Sequence, residues 1–77
     1  MSNVPSPLPG IFYRRPSPEE DEYVQVGERV TKGQTLGLIE VMKNFTEFTA
    51  PEDGTIEEFL VENEEEVSVG QDIVRLG

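Results

Sequence analysis

The chain repeats itself, and this repeat constrains the fold more than any other feature of the sequence. Residues 30–36 (VTKGQTL) align with residues 67–73 (VSVGQDI), and both carry the pattern V-x-x-G-Q-x-[L/I] at an offset of 37 residues. Earlier in each half, residues 6–12 (SPLPGIF) resemble residues 50–56 (APEDGTI) at an offset of 44 residues. Since an internal repeat indicates a repeated structural unit, the sequence predicts two copies of one motif in one fold.

Short apolar runs between Gly, Pro, Asn and Asp predict that the motif is made of β-strands. Four such runs are found, at 33–41, 45–50, 54–61 and 70–76. This spacing is typical of an all-β domain, and no stretch keeps a helical period for the roughly 10–12 residues that a helix prediction needs. We expect one domain over residues 8–77, and a flexible tail rich in Pro, Ser and Asn over residues 1–7.

The two offsets differ by seven residues, so the first half carries an insertion between Phe12 and Tyr23. The inserted stretch lies within YRRPSPEEDE, and its two closely spaced prolines exclude regular pairing in a sheet. We therefore predict a loop that protrudes from the two-fold β domain. From the repeat alone, a functional loop and an acidic surface loop without a role remain equally open.

The residue types that the chain lacks exclude most catalytic chemistry. It has no cysteine and no histidine, so it can form no disulfide and has no imidazole, the usual acid–base group near neutral pH. Its net charge of −10 disfavours binding to nucleic acid and to anionic membranes. No apolar run approaches the roughly 18 residues of a membrane helix, and no signal peptide pattern is present. A cytoplasmic, non-catalytic protein is expected.

The stretch EVMKNF, residues 40–45, places a lysine between two predicted strands. Met42 and Lys43 fall at the turn, and Asn44, which tolerates positive φ, lies next to them. A lysine at a hairpin tip is exposed, and a methionine there presents adaptable apolar surface of the kind used in recognition. An ordinary β-turn lysine is the alternative, because short motifs have many false positives.

Two other charged features are expected to be surface only. Lys32 lies in the V-x-x-G-Q turn, and its equivalent in the second half is Val69, so the position has no evident need for an amine. The acidic residues of 62–66 occupy the second-half equivalent of the turn at 26–29. A run of charges usually faces water, and we expect a solvated turn here, without a metal site.

The residues around the lysine resemble a known family. Glu40-Val41-Met42-Lys43 resembles the E-A-M-K-M biotinylation signature, and the repeat resembles the biotinyl/lipoyl domain family over residues 6–76. The resemblance implies a flattened β-barrel, or barrel-sandwich hybrid, of two four-stranded sheets with pseudo-two-fold symmetry. It implies covalent biotin on Lys43 at an exposed hairpin. Met42 favours biotin over lipoate, since lipoyl domains usually carry a D-K-A-type sequence at this place.

The inserted loop extends the resemblance. Residues 12–18 (FYRRPSP) resemble the F-Y-R-x-P-S-P segment of the biotin carboxyl carrier family of bacterial-type acetyl-CoA carboxylases. In that family the segment begins a protruding thumb that approaches the biotin. The resemblance implies a thumb over residues 15–22. Its residues near the biotin would be Arg15, Pro16, Ser17 and Pro18, and the residues recognised by the biotin ligase would be Glu40, Val41, Met42 and Asn44.

The function implied by the resemblance is that of a non-catalytic carrier. Biotin protein ligase would attach biotin to Lys43, biotin carboxylase would load a carboxyl group, and carboxyltransferase would pass it to an acyl-CoA, in fatty acid synthesis to acetyl-CoA. A lipoyl-type carrier and an unmodified barrel-sandwich scaffold are the alternatives. Asn44, where the family usually has Met, and Val41, where Ala is common, keep the scaffold open. Glu occupies the turn at 61–64 where the family often has Gly, and Asn63 is expected to take the positive φ there.

Overall fold

The computed structural model describes residues 2–77, and its secondary structure consists of eight β-strands. The strands are β1 (Ser2–Pro5), β2 (Gly10–Tyr13), β3 (Arg29–Val30), β4 (Thr35–Val41), β5 (Asn44–Thr49), β6 (Gly54–Phe59), β7 (Glu65–Val67) and β8 (Asp72–Leu76). They form two four-stranded sheets, ordered β1-β8-β6-β3 and β5-β4-β2-β7, in which neighbouring strands are antiparallel. The predicted all-β fold of two four-stranded sheets is confirmed. Over the described residues, no helix is long and apolar enough to cross a membrane.

The strand order shows the two-fold repeat directly. Replacing each strand of β1-β8-β6-β3 by its equivalent four strands away gives β5-β4-β2-β7, which is the order of the other sheet. The irregularities in pairing repeat as well. Pro5 pairs with Asp72 beside a register shift, and Thr49 pairs with Thr35 beside the matching shift in the other half. The structure therefore confirms the repeat predicted from the two sequence offsets, including the matching register shifts in strand pairing.

The shared V-x-x-G-Q pattern encodes the turn before the last strand of each half. Gly33 and Gly70 have φ values of 87° and 83°, in the region that glycine adopts without steric cost. The side-chain oxygen of Gln34 accepts a hydrogen bond from the backbone N–H of Thr31 at 3.1 Å, and Gln71 makes the equivalent contact at 2.9 Å. The glycine thus supplies the backbone conformation, and the glutamine satisfies an N–H that the turn leaves unpaired.

The core lies between the two sheets and is filled by alternate residues of the strands. Phe12 is fully buried, and its ring meets Phe48 edge-on with centroids 5.8 Å apart, a favourable aromatic geometry. Gly37 is required beside it, because a Cβ there would lie 2.5 Å from the Phe12 ring. The other buried apolar residues are Val4, Val24, Val30, Leu36, Ile39, Ala50, Ile56, Val61, Val67, Ile73, Val74 and Leu76.

The structure differs from the expectation of a flexible tail over residues 1–7. Ser2–Pro5 form a strand paired with β8, and the side chain of Val4 is only 4% exposed; residue 1 lies outside the described residues. Carrying the 44-residue offset back from β5 would have indicated this strand, since Val4 is the equivalent of the buried Phe48. Pro5 is tolerated because β1 is an edge strand, where a proline need not donate to the ladder.

Candidate functional site

The hairpin formed by β4 and β5 ends in a two-residue turn at the predicted place. Val41 and Asn44 are the last paired residues, so Met42 and Lys43 form the tip. Their φ values are 50° and 68°, and positive φ at both central residues defines a type I′ turn. Asn44 was expected to help supply the positive φ, but it lies in β5, and the two tip residues hold this conformation themselves.

The tip is exposed and locally strained. The side chain of Met42 is 90% exposed, and Lys43 is exposed as well. Among residues 2–77, Lys43 takes part in none of the ion pairs. A left-handed conformation costs a non-glycine residue about 1–2 kcal/mol, and type I′ turns favour Asn-Gly. Met-Lys at these positions is therefore a poor choice for stability, and such strain is typical of functional sites.

Strand β2 supports both strands of the hairpin through Tyr13. The Tyr13 hydroxyl donates a hydrogen bond to Oε1 of Glu40 in β4 at 2.9 Å, and its ring lies 6.2 Å from the ring of Phe45 in β5. Glu40 and Phe45 are themselves paired across the hairpin. The hydrogen bond to Glu40 raises the pKa of Tyr13 above its ordinary value, with burial and the charges of Glu40 and Glu64 adding to it.

The inserted loop between β2 and β3 is closed at its base and ordered. The backbone N–H of Tyr23 donates to the carbonyl of Arg14 at 2.9 Å, and the N–H of Glu20 donates to the carbonyl of Ser17 at 3.1 Å. The guanidinium of Arg14 stacks over the ring of Phe59, 4.0 Å from its centroid, a cation–π geometry. The loop is therefore closed between residues 14 and 23, and the chain enters a sheet again at β3.

Glu22 holds the two arginines of the loop. Its Oε2 lies 3.2 Å from Arg14 and 3.4 Å from Arg15, and its side chain is 17% exposed. Burial opposes the ionisation of Glu22, but hydrogen bonds from Gln25 and Arg15 and the charges of both arginines outweigh it. The pKa of Glu22 consequently lies below its ordinary value, and the carboxylate holds the loop together in its charged form.

A cleft of about 360 Å³ lies between the inserted loop and Phe45 of the hairpin. The sequence-predicted thumb residues Arg15, Pro16, Ser17 and Pro18 form one wall, while the rest of the lining comes from Tyr13, Phe45, Asn63 and Glu64. The cleft is next to the tip in the chain, since Phe45 follows Lys43 by two residues. The sequence analysis missed the residues of the second wall, because they come from three separate elements that only the fold brings together.

The turn between β6 and β7 corrects one expectation. Glu64 takes the positive φ, at 68°, and its equivalent in the first half is Gly27 at 95°. Asn63, which was expected to take that conformation, instead accepts a hydrogen bond from the backbone N–H of Arg14 at 2.7 Å through its side-chain oxygen. The residue thus fastens the turn to the base of the inserted loop. The 37-residue offset between Gly27 and Glu64 was the signal that could have found this.

The two other charged features singled out in the sequence take part in local hydrogen bonds. The backbone N–H of Lys32 donates to Oδ1 of Asp53 at 2.8 Å, and the Lys32 side chain is exposed. In the acidic turn, Oε1 of Glu65 accepts a hydrogen bond from the N–H of Glu62 at 2.9 Å, which caps the turn. Over residues 2–77, no three His, Cys, Asp or Glu side chains come together in a group that could hold a metal ion.

Comparison with known sequences identifies one matching family, and the two relatives described here share one name. The biotin-lipoyl family model, described as "Biotin-requiring enzyme", matches residues 2–76. The biotin carboxyl carrier protein of acetyl-CoA carboxylase from Streptococcus pyogenes is 49% identical over 73 residues, which is 95% of this chain and 44% of that protein. The protein of the same name from a Nostoc species is 42% identical over 76 residues, 99% of this chain and 42% of that protein. The chain thus spans less than half the length of these relatives.

A solved structure shares the fold. It is described as a single-chain, multi-domain long-chain acyl-CoA carboxylase, and the match has a TM-score of 0.77 at 20% sequence identity. The match covers 95% of this chain and 7% of that protein. At this identity the likeness concerns the fold alone.

Proposed function

The chain belongs to the biotin-lipoyl family of biotin-requiring enzymes, and from this premise we propose that it is a biotin carrier domain of an acetyl-CoA carboxylase. Biotin protein ligase attaches biotin to Lys43, and the domain itself catalyses no reaction. The observation that carries this proposal is the place of Lys43, exposed in a strained two-residue turn at the tip of the hairpin formed by β4 and β5. The relatives named as carriers of acetyl-CoA carboxylase support the choice of carboxylase.

The attachment reaction requires that the lysine be accessible to the ligase. A lysine amine is ordinarily protonated at neutral pH and is then not a nucleophile, so the ligase must remove a proton as Nζ attacks the activated carboxyl group of biotin. An amide bond would form as the bond between the carboxyl group and its activating adenylate breaks and AMP leaves, and the domain would become one charge more negative than its present −10. Met42, Lys43 and Asn44 are exposed, and Glu40 and Val41 are half-buried. We expect the ligase to recognise Glu40, Val41, Met42 and Asn44 around the lysine.

The chain's own part in the carrier cycle is positioning. Biotin supplies the chemistry when bound, since it carries a carboxyl group from biotin carboxylase to carboxyltransferase in the cytoplasm. Tyr13 and the paired strands keep the hairpin rigid, so the attached arm always starts from the same point. Tethering raises the effective concentration of the carried group at each active site.

The thumb, over residues 15–22, provides a binding site for the biotinylated lysine arm when the arm is in neither of the two enzyme active sites. The cleft beside the hairpin has apolar rings on one side, from Tyr13 and Phe45, and the residues of 15–18 on the other. Ligand sites are typically concave and mostly apolar with a few polar groups, and this cleft fits that description. Removal of residues 15–22 should leave a folded domain whose biotin is transferred less efficiently, and unchanged transfer would make the thumb a surface loop without a role.

Mass spectrometry after co-expression with a biotin ligase tests the attachment. The wild type should gain one biotin, and peptide mapping should place it on Lys43. Lys43→Arg should abolish the adduct, while the matched variant Lys32→Arg should keep it. An adduct that survives Lys43→Arg would refute the assignment. A lipoyl mass would indicate the lipoyl-type carrier, and an unmodified wild type, with the ligase active on a control substrate, would favour the scaffold.

A further inference from the structure

The hydrogen bond between Tyr13 and Glu40 joins strand β2 to the strand that leads into the tip. Tyr13 pairs with Leu38 in β4, and Glu40 lies two residues further along that strand. Such diagonal neighbours point to the same face of a sheet and are within reach of long side chains. Because the neighbouring Phe12 faces the core, the 2.9 Å contact crosses the outer face of the sheet, three residues before Lys43.

Among residues 2–77, Tyr13 is the one hydrogen-bond partner of the Glu40 carboxylate. The side chain of Glu40 is half-buried, and within the same residues it forms no ion pair with Arg or Lys. A carboxylate has two oxygens with about four acceptor sites, and the tyrosine hydroxyl occupies Oε1 only. The other oxygen, Oε2, is therefore a free acceptor on a side chain that β2 holds in place.

The other half of the two-fold fold brings the equivalent positions together without this contact. At the offsets of 44 and 37 residues, the equivalents of Tyr13 and Glu40 are Glu57 and Gly77. A Cβ on Gly77 would clash with the Glu57 carboxylate, so the two positions adjoin there as well, and Glu57 pairs instead with Arg75 at 3.3 Å. The shared backbone thus forms without a tyrosine–glutamate contact, and the presence of this contact in the half that carries the lysine needs a different reason.

We propose that Tyr13 is a positioning residue for the attachment of biotin, because its hydroxyl holds the Glu40 carboxylate in one orientation and leaves Oε2 free for the ligase. The inference rests on the proposed function, in which the ligase recognises Glu40 beside Lys43. Without this contact the glutamate would rotate freely, and the ligase would have to immobilise it on binding. Fixing a side chain beforehand removes that entropic cost. Tyr13 therefore acts on the affinity of the ligase for the domain and not on the chemical step.

Ligase kinetics with the unmodified domain as the varied substrate test the proposal. Tyr13→Phe removes only the hydroxyl and keeps the ring beside Phe45. We expect it to raise KM roughly 3–10-fold and to change kcat less than about twofold. Tyr23→Phe is the matched control, because its hydroxyl makes no hydrogen bond among residues 2–77, and it should change neither constant more than about twofold. KM is expressed against the concentration of folded domain, measured by NMR, so that a loss of stability alone does not change it.

A double-mutant cycle separates action through Glu40 from any other effect of Tyr13. In the Glu40→Ala background, Tyr13→Phe should change KM less than about twofold, because the side chain that it positions is gone. An unchanged KM for the single variant Tyr13→Phe, or a rise that persists in the Glu40→Ala background, would overturn the positioning role and leave the carrier function intact. A wild-type domain that takes no biotin, with the ligase active on a control substrate, would overturn the proposed function, and the positioning role with it.

Discussion

At the scale of single residues, the hairpin tip carries residues that lower the stability of the turn but serve the proposed attachment of biotin. Met42 and Lys43 hold left-handed backbone that Asn and Gly would hold more easily. We predict that Met42→Asn with Lys43→Gly stabilises the domain by about 1–2 kcal/mol and abolishes biotin attachment. Urea denaturation and intact mass measure the two effects. A less stable double variant would show that the tip is not strained.

Tyr13 gives a second prediction at this scale. Tyr13→Phe removes the hydrogen bond to Glu40, which is partly exposed, and should cost about 1–2 kcal/mol of unfolding free energy. Tyr23→Phe is the matched control, because its hydroxyl makes no hydrogen bond among residues 2–77, and it should cost less than about 0.5 kcal/mol. Equal losses in the two variants would show that the contact to Glu40 contributes nothing specific.

The raised pKa of Tyr13 also predicts a pH dependence. A group whose pKa is higher in the folded state binds its proton more tightly there, so its stabilisation is fully present below the ordinary tyrosine pKa of about 10 and is lost as pH rises through the folded value. The wild type should therefore lose stability above pH 10 more steeply than Tyr13→Phe. Parallel stability curves for the two proteins in that range would contradict the hydrogen bond as the cause.

At the scale of elements, Glu22 is the carboxylate that pairs with both arginines of the inserted loop. The pKa of Glu22 is lowered in the folded state, so its contribution is present above the ordinary glutamate pKa and is lost as pH falls through the folded value. We predict that Glu22→Gln speeds hydrogen exchange of the Tyr23 amide, which closes the base of the thumb, and leaves the amides of β4 protected. Glu19→Gln is the control. Unchanged exchange at Tyr23 would show that other contacts order the loop.

The first strand is the element that the sequence analysis placed in a flexible tail. Its composition of Ser, Asn and Pro is unfavourable in strands, and only Val4 faces the core, so local pattern did not indicate it. We predict that Val4→Ala destabilises the domain by roughly 1–2.5 kcal/mol, whereas Ser2→Ala, which loses only an exposed hydrogen bond to Glu52, changes stability by less than about 0.5 kcal/mol. Urea denaturation distinguishes the two variants. If Val4→Ala left the free energy of unfolding unchanged, residues 2–5 would behave as a tail and not as a strand of the sheet.

At the scale of the whole molecule, symmetry explains how much could be predicted. The duplicated V-x-x-G-Q turn was visible in the sequence because its glycine and glutamine each have one local task, and it led directly to the two-fold sheets. The insertion was visible as a break in that symmetry. The second wall of the cleft was not, since Asn63 reaches Arg14 across 49 residues of chain and no local pattern encodes such a contact.

Transfer of labelled bicarbonate to the biotinylated domain tests the carrier function most directly. Purified wild-type domain is incubated with biotin carboxylase, ATP and radiolabelled bicarbonate, separated from small molecules, and counted. The carrier function predicts one ATP-dependent label per biotinylated domain, and none on Lys43→Arg prepared in the same way. Absence of label on a fully biotinylated wild type, with the enzyme active on free biotin, would contradict it.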